Sequence, residues 1–589
     1  MDGSLTTSNV TFDNNGEVRV DSGPLTLGGG GTSTGQFNTA EGTTITFASG
    51  SPVIATGATF GGSGEWRITG ARVDFAGDTS ISRLAISSGW MNGDGTVHIT
   101  DRMDWTGNAE LRGNGTTAID ATAILALSGD SDKGLHNRTL QIEGSCMVAG
   151  TGTLWLQSGS SIVTAPGSLV DFQADATWNH NYGTGPTVIL SGTFRKTGGT
   201  GNTTLANYLP TLDNLTMEAR TGTIILSSGA TGSGTFDALP GATITFPTNT
   251  SLSASSFKGA GLKQFTGGTL TLTGATPGQN VEINGANLEG THVLQGEWKW
   301  LAGDLRGEGT TTIDPAGTLR LMGGSDHGIH SRTLQVNGTF VDESMGTLWL
   351  QSGCKIQTGA GGTITFPGDV VWNHNYGTAP TFTNLGTIEK TAGGLLTLSN
   401  LPLTNEGLIQ LVDGEMTTSN VTFNNTGAVD VDSGSLLLKG GGTSTGQFNT
   451  AEGTTISFAS GSPVIAEGAA FGGTGEWWIT GAQVNFAADV SIPRLGISAG
   501  WMNGDGSVRI SEWMDWSGNA ELRGNGTTVI APTAVLTMSG GSDKGLHNRT
   551  LQIEGSFNVL GTGTLWLQSG SSIVTAPGSL VDFQADATW

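Results

Sequence analysis

Short apolar pulses that recur along the whole chain constrain its fold more than any other feature. The stretch at residues 152–172, GTLWLQSGSSIVTAPGSLVDF, returns in related form from Gly346 and again from Gly563. In each copy Leu-Trp-Leu predicts a short strand, Gln-Ser-Gly predicts a turn, and two more apolar pulses follow. The stretch is about one circuit of a three-sided coil, and most of the chain is a variation on it.

Most pulses are three residues long, with a polar residue between two apolar ones. This alternation indicates a strand with one buried face, and the Gly, Ser, Asn and Asp between pulses are typical of turns. Pulses spaced ~7–10 residues apart predict three strands per coil of roughly 20 residues, and about 28 coils. Examples are residues 10–12, 18–20, 25–27, 45–47, 66–68, 73–75, 97–99 and 140–142.

Three architectures accommodate many short strands, and the sequence favours one of them. A chain of β-sandwiches would need strands of ~5–6 residues and linkers between domains, and a propeller would repeat at ~40–50 residues. Neither pattern stands out, whereas a parallel β-helix stacks coil on coil and buries two side chains per short strand. We therefore expect an all-β, single elongated parallel β-helix. Because the hexapeptide pattern of left-handed coils is absent, we expect a right-handed coil, on the order of 130–140 Å long at strand spacing.

A long repeat organises the coils, since residues 1–178 recur as residues 412–589 with an offset of 411 positions. The motifs TTSNVTF and KGLHNRTLQIEG both show this offset. Met1 stands where the second copy has a valine, and the last residue, Trp589, is the counterpart of Trp178. Both ends cut through the repeat, so we expect a segment of a longer tandem array.

Each long unit contains two related modules that begin with the motif LRG. The modules are about 111–304 and 305–521, and the second is longer, mostly by one coil. A whole coil is the insertion that a solenoid tolerates most easily. We expect residues 1–589 to form one continuous β-solenoid.

Charge and composition narrow the possible functions. The net charge is −24, only 13% of residues are charged, and Lys and Arg form no cluster. Phosphate binding needs concentrated positive charge, so a nucleic-acid partner and docking on anionic lipid are disfavoured. The chain has no apolar run of ~20 residues, so we expect no transmembrane segment. Calcium-binding repeats and EF-hand loops are absent, and NGDG at Asn92 and Asn503 is a weak ion site, so we expect no metal and no cofactor.

The two cysteines are not expected to form a disulfide. Cys146 and Cys354 would lie about ten coils apart, on the order of 45–50 Å, whereas a disulfide tolerates only ~7 Å between Cα atoms. Cys146 stands where the other copies have phenylalanine, which predicts a buried position. Cys354 stands where they have serine, which predicts an exposed one.

Three tryptophans are the first candidates for contact with a ligand or neighbour. In Leu-Trp-Leu the leucines point inward, so strand alternation turns Trp155, Trp349 and Trp566 outward. An exposed aromatic suits stacking on a sugar ring or an adjacent molecule; the alternative is a tryptophan covered by a neighbouring turn. Other outward aromatics differ between copies, which favours lateral packing over one shared pocket: Arg67 becomes Trp478, and Arg102 becomes Trp513.

The motif WNHNYGT, at residues 178–184 and 372–378, is the second candidate. In the first copy His180, Asn179, Asn181 and Tyr182 together could bind a glycan or a metal, and in the second copy the corresponding residues include His374 and Tyr376. One histidine among amides is weak for zinc, which takes sets of His and Cys at defined spacing. The alternative is a turn whose Asn side chains bond the backbone, with Tyr182 capping the core.

The motif KGLHNRTL is the third candidate, because an aspartate precedes its histidine and arginine. Asp and His suggest a triad, but no serine lies in a strained nucleophile elbow. The favoured interpretation is a turn braced by an Arg–Asp pair, with the histidine bonded to the next coil. The three sets are Asp132, His136 and Arg138; Asp326, His330 and Arg332; and Asp543, His547 and Arg549.

Together these motifs resemble a known class. Gly-Ser-Gly-Thr punctuation, WTGNAELRGNGT at residues 105–116, His-x-Arg-Thr-Leu and Asn-His-Asn-Tyr-Gly-Thr are similar to the β-strand-repeat solenoids of very large bacterial surface and secreted proteins, of the filamentous-haemagglutinin and autotransporter-passenger type. The resemblance covers essentially the whole chain. It implies an extracellular or cell-surface adhesin, stalk, sheath or matrix fibre, and it brings no catalytic motif.

The leading hypothesis is a structural rod or fibre segment that is not an enzyme. Its expected partners are other copies, bound laterally or end-to-end, or surface glycans. The alternative is a carbohydrate-binding or carbohydrate-processing β-helix of the pectin-lyase type. Such an enzyme needs carboxylates and a basic residue clustered in one groove, and no polar cluster is unique to one coil. A flat ice-binding face would need outward threonines at even phase, which the sequence lacks.

Overall fold

The computed structural model describes residues 3–589, so that Met1 and Asp2, at the start of the first repeat copy, lie outside the described residues. Within that range the chain forms 69 β-strands and no helix. It divides into two units, Met1–Leu288 and Glu289–Trp589, and each is a parallel β-solenoid. The predicted all-β β-solenoid is confirmed, while its handedness stays a prediction.

Three strands make each turn of the first unit, so a strand pairs with the third strand before it and the third after it. Thr116–Ile119 pairs in parallel with Thr139–Ile142, and this strand pairs with Ser161–Thr164. Paired residues lie between 18 and 27 positions apart, as Thr79 with Val97 and Thr177 with Thr204 show. The predicted coil of roughly 20 residues is therefore confirmed, with turns of unequal length.

The second unit repeats this pairing. Thr310–Ile313 pairs with Thr333–Val336, and the series continues through Lys355–Thr358 to Thr381–Asn384. Inward positions hold Leu, Ile, Val, Phe and Trp in both units. Burying one such side chain stabilises a fold by about 1.5–3 kcal/mol.

Two sides of a turn merge into one bent strand in parts of each unit. In the first unit these strands are Glu65–Phe75 and Thr79–Asn92, and in the second Glu476–Phe486 and Val490–Asn503. Register shifts mark the bends, for example between Ile86 and Ser88. The bulges allow the strand to turn the corner while its ladder continues.

Seven of the eight example pulses lie in strands, and residues 10–12 do not. The strand in that region is Leu5–Ser8, and Val10 is 50% exposed. Phe12 N donates to Gly30 O at 2.8 Å, so residues 10–12 run beside a glycine-rich segment. In the second copy the same pulse also runs beside glycines, but it is buried, and Phe423 begins a strand that pairs with Leu403 of the preceding turn.

Both cysteines are free and buried. The prediction for Cys146 is confirmed, whereas the predicted exposure of Cys354 is wrong, since it is fully buried. Ser352 and Gly353 before it have φ angles of 53° and 69°, and this turn directs residue 354 inward. The equivalent Ser160 is also buried, and its hydroxyl has no partner within residues 3–589. A thiol suits this position better than a hydroxyl, and burial raises the pKa of both thiols to about 12.

A buried amide ladder links successive turns of the second unit. Asn384 Nδ2 donates to Asn405 Oδ1 at 2.7 Å, and Asn405 Nδ2 donates to Asn425 Oδ1 at 2.8 Å. All three side chains are fully buried. The ladder satisfies polar groups that would be costly to bury alone.

Replacing Asn405 with alanine is expected to destabilise this region by about 2–3 kcal/mol. The change leaves a donor of Asn384 and an acceptor of Asn425 buried without partners. Hydrogen exchange of residues 384–425 would measure the loss. The control is Gln410→Ala, which removes a surface hydrogen bond to Asp432 of 2.8 Å and is expected to cost about 0.5 kcal/mol or less. Equal losses in the two variants would contradict the prediction.

Candidate functional site

Two clefts of the same construction lie one in each unit. The first cleft has a volume of about 360 Å³ and the second a volume of about 380 Å³. Both are lined by a Trp, a Tyr, a His, a Gln, an Asn, an Arg and two carboxylates. The first cleft comprises Asn108, Glu110, Arg112, Asp132, Lys133, Gly134, His136, Trp155, Gln157, Asn181 and Tyr182. The second cleft comprises Asp304, Arg306, Asp326, His327, Gly328, His330, Trp349, Gln351, Asn375 and Tyr376.

Parallel pairing brings these distant residues together. Glu110 pairs with Gly134, and Gly134 pairs with Trp155 in the strand Leu154–Gln157. Their neighbours on these strands are inward leucines, so the three residues face outward. Since Gly134 carries no side chain, a gap opens in the outward column between Glu110 and Trp155. Gly328, paired with Trp349, makes the same gap in the second unit.

Each cleft tryptophan is held by an aspartate of the preceding turn. Trp155 Nε1 donates to Asp132 Oδ2 at 2.9 Å, while Thr153 N donates to Asp132 Oδ1 at 2.9 Å. In the second cleft Trp349 Nε1 donates to Asp326 Oδ2, also at 2.9 Å. The hydrogen bond from Trp349 is the main reason that the pKa of Asp326 is lowered. The tryptophans are half-buried, with their indole N–H groups fixed.

A tyrosine and a histidine two turns apart meet at each cleft. Tyr182 Oη lies 3.1 Å from His136 Nδ1, and Tyr376 Oη lies 3.2 Å from His330 Nδ1. Burial lowers the pKa of both histidines, against the opposite effect of a nearby carboxylate. With the imidazole neutral, the tyrosine hydroxyl donates a hydrogen bond to Nδ1, and the ring carries its own proton at Nε2. His136 Nε2 then faces Glu110 Oε1 at 3.9 Å.

Amide side chains complete the turn that carries Tyr182. Gln157 Nε2 donates to Asn181 Oδ1 at 2.5 Å, and Gln157 Oε1 accepts from Tyr182 N at 3.2 Å. His180 instead donates from Nδ1 to Leu156 O at 2.7 Å. Tyr182 therefore lies in the cleft, whereas the His180 ring is hydrogen-bonded to the backbone carbonyl of Leu156. His374 and Tyr376 repeat this division, with His374 Nδ1 2.8 Å from Leu350 O.

Two sequence interpretations of these motifs are wrong. Tyr182 does not cap the core, because its side chain is 54% exposed. Arg138 does not pair with Asp132, because the aspartate is bonded to Trp155 and Thr153 while the guanidinium is buried among backbone carbonyls. Four carbonyl oxygens and the hydroxyl of Thr117 satisfy the guanidinium donors without a second buried charge.

Arg138 fills the place that the sequence suggested for an ion. Its Nη1 donates to Gly93 O at 3.0 Å and its Nη2 to Gly95 O at 3.1 Å, in the NGDG loop. Arg549 bonds the second NGDG loop in the same way, at Gly504 O and Gly506 O. Burial lowers the pKa of both arginines to about 10, so they are protonated at neutral pH. Residues 3–589 contain no group of three or more His, Cys, Asp and Glu side chains suited to a metal ion.

Trp566, in the third copy of the motif, lies outside both clefts. Its Nε1 donates to Asp543 Oδ2 at 3.1 Å, as in the other copies, but the side chain is 50% exposed. Trp566 is among the lining residues of neither cleft.

The outward tryptophans of the second copy pack on each other. The rings of Trp478 and Trp513 are 6.4 Å apart in an edge-to-face arrangement, and a Cβ at Gly496 would come within 2.3 Å of the Trp478 ring. The first copy has Ala85 at this glycine position. Trp478, Trp513 and Gly496, which replace an arginine, an arginine and an alanine of the first copy, therefore fit one another within one chain. Packing against a neighbouring molecule is not needed to explain these replacements.

The glycine at the floor of each cleft makes room for the histidine ring. A Cβ at Gly134 would lie 2.6 Å from His136 Nε2, and one at Gly328 would lie 2.2 Å from His330 Nε2. We expect Gly134→Ala to displace the His136 ring, break its bond with Tyr182 and cost about 1–2 kcal/mol. In a His136→Ala background the same change is expected to be neutral or stabilising by about 0.4–1 kcal/mol. Chemical denaturation of the four proteins checks this coupling, and additive effects would contradict it.

The histidines also predict a pH dependence with a definite sign. Their pKa values in the folded state lie below the ordinary value of ~6.5, because burial disfavours the charged form. The unfolded chain therefore binds protons more readily, and stability falls as the pH drops below the ordinary value. His136→Ala should reduce this loss between pH 7 and pH 5, as thermal denaturation at both values would show. If His136→Ala had the same pH dependence as the parent chain, a lowered pKa of His136 in the folded state would be contradicted.

Comparison with protein-family models and with curated proteins found no match to this chain. No helix within residues 3–589 is long and apolar enough to cross a membrane. Information on the kind of ligand that this chain could bind therefore comes from the residues that line the clefts. They combine two aromatic side chains, a neutral histidine, amides and paired charges, a set suited to binding a polar ligand that has apolar faces.

Proposed function

We propose that this chain is a structural segment, a rod or fibre section of a large secreted or cell-surface repeat protein, and that it is not an enzyme. The observation that carries the proposal is a buried arginine brace that occurs three times, at Arg138, Arg332 and Arg549. Arg138 bonds carbonyls of the two preceding turns, and so ties three successive turns together. A recurring brace of this kind serves the cohesion of a stack.

The repeat architecture supports the same role. Each turn of a solenoid contacts only its neighbours, so turns can be added without altering the rest. Polar interior links, such as the ladder through Asn405, also run from turn to turn. Few residues are charged, but most of these are acidic, and the resulting net charge of −24 favours solubility of such a surface. The sequence resemblance to bacterial surface solenoids supports an extracellular or cell-surface location.

The polar groups of the clefts are held mainly by each other, which favours binding over catalysis. Arg112 bonds Glu110, and Asp132 accepts from both an indole and a backbone amide. A general acid or base needs a proton that can move to substrate, and these carboxylates already accept strong donors.

Electron microscopy of the protein at high concentration tests the structural role. We expect filaments or laterally paired particles, which separate on dilution. Incubation with plant and bacterial polysaccharides should release no new reducing ends. Particles that stay dispersed at high concentration and cleave a polysaccharide would overturn the proposal.

A further inference from the structure

We propose that the two clefts are binding sites for a neutral saccharide, with a sugar ring stacked on Trp155 in the first cleft and on Trp349 in the second. The inference goes beyond the structural role and rests on the clefts alone. It would stand even if the chain did not assemble into fibres.

The aromatic side chains are fixed before any ligand arrives. Trp155 is held through its indole N–H by Asp132, and Tyr182 is held through its hydroxyl by His136. Tyr182 is nevertheless 54% exposed, an unusual state for a ring whose position is so well defined. Rigid aromatics provide large contact areas at a low cost in conformational entropy. The C–H face of a sugar ring is the apolar surface that matches such a platform.

Comparison of the two clefts identifies the charge of the ligand. The first contains Lys133, and the second has His327 at the same position. The shared charges are one arginine and two carboxylates, and in each cleft the arginine bonds a carboxylate two residues before it. An anionic ligand would meet an uncompensated carboxylate in the second cleft. Apart from the ion-paired arginine and the two carboxylates, the lining that the clefts share is uncharged, namely Trp, Tyr, neutral His, Gln and Asn, so the ligand common to both is neutral.

Hydrogen-bond donors remain for the hydroxyl groups of a sugar. In the described part of the chain the Nδ2 groups of Asn181 and Asn375 make no hydrogen bond to protein. The Nε2–H of His136 also lies too far from Glu110, at 3.9 Å, for a hydrogen bond. The cleft volume of about 360 Å³ lies among these groups and is open to a ligand.

Isothermal titration calorimetry with neutral gluco-, galacto- and manno-oligosaccharides of four to six units tests the proposal. At least one of these probes is expected to bind the full chain with two sites. Trp155→Ala and Trp349→Ala should each leave one site, and the double variant should bind more than tenfold more weakly. Trp566→Ala is the matched control, because Trp566 lies outside both clefts, and should keep two sites.

Tyr182→Ala combined with Tyr376→Ala provides a second test, since both side chains are more than half exposed. Binding should weaken about tenfold, and the corresponding pair of phenylalanine variants should bind within about threefold of the parent chain. Melting curves confirm that each variant is folded. The proposal is overturned if no probe binds at 10 mM, if only anionic oligosaccharides such as oligogalacturonate bind, or if the double tryptophan variant keeps both sites.

Discussion

Arg138→Ala is expected to destabilise the first unit by about 3–5 kcal/mol, the largest effect of any single change considered for this unit. The side chain is fully buried and all of its nitrogens donate to protein acceptors. Truncation removes the guanidinium donors from these acceptors over three turns, although Gly93 O also accepts a backbone hydrogen bond, from Gly115 N at 3.0 Å. The acceptors are Thr117 Oγ1 at 2.8 Å, Thr116 O at 2.9 Å, Gly93 O at 3.0 Å, and Arg112 O and Gly95 O at 3.1 Å.

Part of this loss is offset, because the parent chain must desolvate the guanidinium. Burial lowers the pKa of Arg138 to about 10, which reflects that cost. Hydrogen bonds from a charged donor contribute about 1.5–3 kcal/mol each, so the five together outweigh the desolvation. Arg138→Lys keeps the charge but replaces the planar fork with a single ammonium group, and we expect an intermediate effect.

The loss should be local, because repeat proteins propagate stability between neighbouring turns. Hydrogen exchange is therefore the measurement of choice. Protection should fall in peptides covering residues 93–140, while peptides around Arg332, whose own brace is intact, should be unchanged. Arg83→Ala is the surface control, with a side chain that is 50% exposed and paired with Asp101, and should cost about 0.5 kcal/mol or less. Similar exchange in the two variants would show that the brace is dispensable.

Most of the fold follows from local patterns in the sequence. In Leu-Trp-Leu the period of two places Leu154 and Leu156 inside, and the structure buries both. Three strands per turn and turns of about the predicted length also follow from the spacing of pulses. The pulse at residues 10–12 is the exception, and its sequence is not the cause, since the same pulse at residues 421–423 is buried and Phe423 pairs with Leu403 of the preceding turn.

The clefts depend on register, which pulses do not reveal. His136 and Tyr182 are 46 positions apart, and turns vary from 18 to 27 residues. A mean turn length therefore cannot place a tyrosine opposite a histidine two turns earlier. One signal was nevertheless present in the motif KGLH. The outward position two residues before the histidine is glycine, which leaves room for the histidine ring in a column of outward side chains.

The inward direction of Arg138 was hidden for a different reason. Its predecessor Asn137 has a φ angle of 54°, in the left-handed region, and this turn reverses the side chain that follows. Sequence alternation assumes extended backbone and fails at such a residue. The positive φ angles of Ser352 and Gly353 turn the side chain of Cys354 inward in the same way, so the prediction of an exposed position failed.

Trp372→Phe in the second unit is expected to cost about 3–4 kcal/mol, whereas the equivalent Trp178→Phe in the first unit should cost about 1 kcal/mol. Trp372 Nε1 donates to Asp342 Oδ2 at 2.7 Å, and both side chains are fully buried. The first unit has Val148 in place of the aspartate, and Trp178 Nε1 has no protein partner within residues 3–589. The two variants lose the same ring volume, so their difference isolates the hydrogen bond to the carboxylate.

The pH dependence separates this hydrogen bond from packing. Burial raises the pKa of Asp342, against the lowering effect of hydrogen bonds from Ser344 and Trp372. A carboxyl group whose pKa is raised on folding contributes its stability below the ordinary value of ~3.9 and loses it as the pH rises through the folded value. Removing the Trp372 donor raises that folded value further. The cost of Trp372→Phe should therefore be larger at pH 7 than at pH 4, while the cost of Trp178→Phe should be the same at both. Chemical denaturation at the two pH values measures these four differences, and equal pH dependence of the two variants would contradict a buried ionised Asp342.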